Sequence, residues 1–161
     1  MESNEELNKK LLPLNDSEKF VELKKECEKI LEREPTNEIA MFFMTNALLG
    51  LADTYMELTD SSLKQALDYC NKLLIRYPND HNVLANKADA LRDLGHQDQS
   101  LEFYDKAIKE DPSDHLLFAS KAIALRDLGR INEAIELCNK ALSMEPNDPD
   151  VLELLEELKG N

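Results

Sequence analysis

The sequence predicts an all-α fold, an array of helix pairs repeated along the chain. Three observations predict it. Pro78, Pro112 and Pro146 stand 34 residues apart, a period that signals a helical repeat array. The run Leu-Arg-Asp-Leu-Gly recurs at 91–95 and at 125–129. Each unit holds two apolar runs with helical spacings of three and four residues, divided by Gly95 or Gly129. Composition agrees, because 4 Gly, 6 Pro and no Trp in 161 residues argue against a loop-rich or all-β chain.

The elements follow in order. Residues 1–16 carry Leu7, Leu11 and Leu14 as a short stripe that Pro13 interrupts, so a frayed or partly disordered N-terminal arm is expected. Residues 17–37 form an N-terminal helix in which Phe20, Leu23, Cys27, Ile30 and Leu31 make one stripe and Pro35 closes it. It reads as the second helix of a partial repeat whose first helix is missing or degraded. Residues 38–80 form a repeat with a nine-residue insertion, since Pro35 and Pro78 are 43 apart. Nine extra residues inside a helix would rotate its apolar face into water. The surplus is therefore expected at helix ends: one long helix from Asn37 or Glu38 to about Leu58, then a turn at Thr59–Ser62.

Residues 81–114 and 115–148 are regular repeats. Asp80 and Asp114 suit the N-cap of each first helix, and Asp98 and Asn132 that of each second helix. Gly95 and Gly129 suit the left-handed position that closes a helix. Pro112 and Pro146 stop the second helices, because proline lacks the amide hydrogen and clashes with the preceding turn. Residues 149–161 form a C-terminal capping helix with Val151, Leu152, Leu155 and Leu158 inward and Glu153, Glu156 and Glu157 outward.

These residues resemble the tetratricopeptide repeat (TPR) family. With His115 at position one, Phe118, Ala122, Leu125, Gly129, Ala134, Cys138, Ala141 and Pro146 fall on the family's patterned positions. Leu84, Ala88, Leu91, Gly95, Ser100, Tyr104, Ala107 and Pro112 fall on them in the repeat before. The resemblance implies a right-handed α-solenoid of antiparallel helix pairs, with first helices lining a concave peptide-binding groove. The groove residues it implies are Asn82, Asn86, Asp89, Arg92, Leu116, Ser120, Ile123 and Arg126, with Ala85, Asp93, Ala119 and Asp127 beside them. Phe42, Phe43, Asn46 and Leu49 join them if the long helix keeps register with Pro35. Arg92 and Arg126 could meet a carboxylate in bidentate geometry, so a ligand with an acidic group is expected; the competing expectation is that Arg92 pairs with Asp89 and that Arg126 is merely solvated. The two-lysine clamp by which some co-chaperones grip a chaperone C-terminus is not expected, because its cationic positions fall on Phe42, Leu116 and Ser120.

Charge and chemistry narrow the function. Lys+Arg 19 against Asp+Glu 33 gives a net charge of −14, which repels phosphate backbones and anionic lipid, so neither nucleic acid nor membrane is an expected partner. The N-terminus MESNEELNKK has no signal-peptide pattern. Cys27, Cys70 and Cys138, an odd number and widely spaced, suggest a cytoplasmic setting. Each lies eight residues before a repeat proline, so they are expected as separate buried packing residues. His81, His96 and His115 lack zinc-like spacing. There is no nucleophile elbow, phosphate loop or Cys-x-x-Cys; no catalytic residue, cofactor or metal is expected. The expectation is a non-enzymatic adaptor or scaffold that binds a peptide segment or partner protein. The alternative is a self-assembling array that forms homo-oligomers.

Overall fold

A computed structural model describes residues 2–55 and 60–160, with the side chains of 53–55 also outside the description. Among the described residues there are nine α-helices and no strand. None of those helices is long and apolar enough to cross a membrane. The chain divides into two compact units, one ending at Pro78 and one beginning at Asn79.

The second unit holds α5 (His81–Asp93), α6 (Gln97–Glu110), α7 (His115–Asp127), α8 (Ile131–Met144) and α9 (Pro149–Gly160). Helices α5, α7 and α9 form one layer, with α6 and α8 packed behind and between them. Asp80 caps α5 through the Val83 amide at 3.1 Å, and Asp114 caps α7 through the Leu116 amide at 2.9 Å. Gly95 and Gly129 take φ of 82° and 73°. The Gly95 amide donates to the Arg92 carbonyl and the His96 amide to that of Leu91, at 2.9 and 2.8 Å. Gly129 and Arg130 repeat both bonds onto Arg126 and Leu125. These paired bonds are a Schellman turn, which satisfies the last carbonyls of one helix while reversing the chain.

That turn corrects one expectation. The N-caps of α6 and α8 are His96 and Arg130, whose side chains cap nothing, while Asp98 and Asn132 lie inside the first turns. The bend is complete one residue after the glycine, so the next helix starts before Asp98 or Asn132 is reached. In α9 the inner stripe is Val151, Leu154, Leu155 and Leu158, and Leu152 is 41% exposed. Spacings of three, four and seven from Val151 follow the helical period, which leaves Leu152 off the buried face.

The first unit holds α1 (Asn4–Asp16), α2 (Phe20–Arg33), α3 (Glu38–Tyr55) and α4 (Asp60–Arg76). Residues 4–16 are therefore helix rather than an arm. Ser3 and Glu6 form a reciprocal capping box, and Leu7 and Leu11 are fully buried. Pro13 falls in the last turn, where its missing amide leaves only the exposed Lys9 carbonyl without its helical donor. Helix α1 is also the first helix that α2 was expected to lack. Glu18 sits seventeen residues before Pro35, as Gly95 and Gly129 sit before Pro112 and Pro146. It takes φ of 53°, and its amide and that of Lys19 bond the Asn15 and Leu14 carbonyls at 3.0 and 2.9 Å. The same Schellman turn thus joins α1 to α2, with glutamate in the glycine position.

Helix α3 is apolar on nearly every side and is packed by α1, α2 and α4. Phe43 and Leu49 are 5% and 8% exposed, so they belong to the core and not to a groove. Asn46 donates to Asn15 of α1 at 3.2 Å. A Cβ on Gly50 would collide with the Phe20 ring, so glycine there lets α2 and α3 approach closely. Asp60, Ser61 and Ser62, expected in a turn, open helix α4; the expected end of the long helix near Leu58 lies outside the described residues.

Candidate peptide-binding face

Apart from the four conditional residues of α3, the residues expected to line a groove lie on α5 and α7, neighbours in one layer of the second unit. Asn82 is exposed and Asn86 half-buried on α5. On α7, Leu116 is 54% exposed, while Ala119, Ser120 and Ile123 are half-buried. Ala119 and Ile123 rest on the core below. Leu116, Ala119, Ser120 and Ile123 follow helical spacing, so α7 presents a short apolar stripe broken by one hydroxyl.

The two arginines share a repeat position but not an environment. The Arg92 side chain is only 12% exposed. It donates to Asp93 at 2.9 Å, to Asp89 at 3.3 Å and to the Tyr104 hydroxyl at 3.4 Å. The Tyr104 hydroxyl in turn donates to Asp89. Tyr104 reaches this network from α6 and is itself fully buried. Burial, reinforced by the charge of Asp89, pushes its hydroxyl above the usual phenol value, so it stays a donor.

At the positions equivalent to Asp89 and Tyr104, the repeat of Arg126 carries Ile123 and Cys138. With no inward polar partner of that kind, the Arg126 guanidinium donates to Asp127 at 3.0 Å and crosses to Glu157 of α9 at 3.4 Å. The structure therefore joins Asp89 to Arg92 and carries Arg126 toward α9. Glu157 and Tyr104 were missed in the sequence. Glu157 lies one 34-residue period beyond Ile123, and Glu153 one beyond Ala119; that register was the available signal.

The remaining candidate groups are structural. Cys27, Cys70 and Cys138 are buried and outside any disulfide, and burial pushes the Cys27 thiol up to about 12 and that of Cys138 upward. His115 contacts Asp148 at 2.9 Å, and His81 lies 3.7 Å from Asp111. The Val151 amide, with His115 beside it, holds the Asp148 carboxyl below the ordinary carboxylate range. Among the described residues no group of three or more His, Cys, Asp or Glu side chains could hold a metal ion.

Helix pairs, three of them joined by Schellman turns, with buried alanines and a proline after each second helix, define a tetratricopeptide repeat protein. Residues 49–156 match the family model described as Psidin, N-terminal TPR repeats region, and the chain belongs to that family. Among solved structures it resembles TTC0263, a thermophilic TPR protein of Thermus thermophilus, at TM-score 0.74 and 18% identity, over 86% of this chain and 72% of that one. It resembles the second TPR domain of human RPAP3, in complex with the HSP70 peptide SGPTIEEVD, at TM-score 0.60 and 20% identity, over 72% and 92%. It also resembles the first TPR of Spaghetti (RPAP3), bound to the HSP90 peptide SRMEEVD, at TM-score 0.59 and 18% identity, over 72% and 90%. At these identities the likeness is one of fold. No curated protein matches the sequence.

Proposed function

We propose that this chain is a non-enzymatic adaptor or scaffold that receives a peptide segment of a partner protein on the face of α5, α7 and α9. The observation that carries this reading is Leu116, 54% exposed at the head of the α7 stripe. A large aliphatic side chain held open beside half-buried Ala119 and Ile123 is a seat for an apolar anchor. Half-buried Asn86 nearby suits a peptide backbone, since an amide side chain can donate and accept. The chaperone peptides bound to two structural relatives support a peptide as the occupant. A reducing, cytoplasmic setting accords with three buried cysteines outside any disulfide.

Selection of binders from a displayed peptide library on the full chain tests this, followed by hydrogen exchange with and without the selected peptide. Protection of α5, α7 and α9 is the expected result. Protection confined to α6 and α8, or a failure to select any peptide, refutes the reading.

A further inference from the structure

We infer that the segment received on the α5–α7–α9 face is cationic, with Lys or Arg side chains around an aliphatic anchor. This rests on the peptide-binding reading above and goes beyond it in naming the chemistry of the partner. Both guanidinium groups on the face are already engaged: Arg92 by Asp89 and Asp93, Arg126 by Asp127 and Glu157. An incoming carboxylate would compete with carboxylates already in place. It would also approach Glu153 and Asp150, exposed on α9 at the repeat positions of Ala119 and Leu116. At the repeat positions expected to line the groove on α5, α7 and α9, six carboxylates thus stand against two arginines. A cationic segment gains from that surplus, while its aliphatic side chain covers the stripe. A second copy of the chain, at net charge −14, would bring like charge to the face.

The probe is a short dye-labelled peptide of alternating lysine and leucine, compared with its glutamate–leucine counterpart by fluorescence anisotropy on the full chain at low and high salt. The lysine peptide should bind more tightly and weaken as salt rises. The variant Asp150→Asn/Glu153→Gln should bind it about three- to tenfold more weakly, as the loss of two rim charges allows. The variant Glu102→Gln/Glu136→Gln, which removes the same charge from exposed sites on α6 and α8, should bind it as the parent does. Equal weakening by both variants reduces the effect to net charge and overturns the inference. Tighter binding of the glutamate peptide, lost on Arg126→Ala, overturns it while leaving the peptide-binding reading intact. Binding of neither peptide overturns the inference, and the library selection then decides the reading beneath it.

Discussion

Tyr104→Phe removes one oxygen from the network that fixes Arg92. The lost hydroxyl donates to the Asp89 carboxylate and accepts from Arg92 at 3.4 Å. A hydrogen bond to a charged group contributes about 1.5–3 kcal/mol, so a loss near 2 kcal/mol is expected. Asp89→Ile should cost a similar amount, because it deprives a fully buried tyrosine hydroxyl of its acceptor. The next repeat shows what the pair becomes when both change, with Ile123 and Cys138 in the equivalent places. The double variant Asp89→Ile/Tyr104→Phe should therefore cost less than the two singles together, by about 1–2 kcal/mol. Equilibrium urea unfolding of the parent, both singles and the double gives the coupling directly. Costs that add to within about 0.5 kcal/mol would mean that the network is not a unit and that Asp89 and Tyr104 contribute independently.

Three further outcomes are expected. Glu18→Gly should stabilise the chain by about 0.5–1 kcal/mol and Gly129→Ala destabilise it by about 1–2 kcal/mol, because φ is positive at both sites and an added Cβ at Gly129 meets no atom within 4 Å; urea midpoints moving in the same direction would contradict this. Cys27, Cys70 and Cys138 should alkylate slowly when folded and fast in denaturant, since burial blocks the reagent at all three and disfavours the thiolate at Cys27 and Cys138; rapid native labelling of all three would contradict it. Lys10 of α1 and then Lys29 hold the Glu26 carboxyl down from the ordinary 4.5 to about 2. The folded value lies below the unfolded one, so this stability is complete above the unfolded carboxylate range and is lost as pH falls through about 2. Glu26→Gln should flatten the dependence of stability on pH across that window; an unchanged slope sinks the idea.

The regular repeats were legible because glycine, aspartate and proline each mark a backbone event: a left-handed residue, a cap and a stop. Where one of those residues is replaced, the sequence stopped speaking. Glu18 takes the place of Gly95 and Gly129, so α1 was not recognised as a first helix although its distance from Pro35 fits. Pro13 weighed against α1, yet a proline in the last turn withdraws little, and Leu7 and Leu11 bury fully. On the candidate face, repeat position told which residues stand in a row but not which partners each meets. Arg92 and Arg126 share a position and a flanking sequence, and differ because residues twelve places further on, Tyr104 and Cys138, differ. The Arg126–Glu157 contact spans 31 residues and depends on how α9 packs, which no local pattern encodes.

Helix α3 carries a consequence for how the chain is made. An element this apolar on every side is a hazard whenever it stands alone in water, since exposed hydrophobic surface invites aggregation. Its covering helices α1 and α2 both precede it in the chain and pack against it. During vectorial synthesis, α3 therefore emerges onto a surface already waiting for it, and α4 follows to pack against it. Reordering the helices of the first unit so that α1 and α2 follow α4 would delay the cover of α3, and the damage should appear as lost soluble yield rather than as a lower unfolding midpoint.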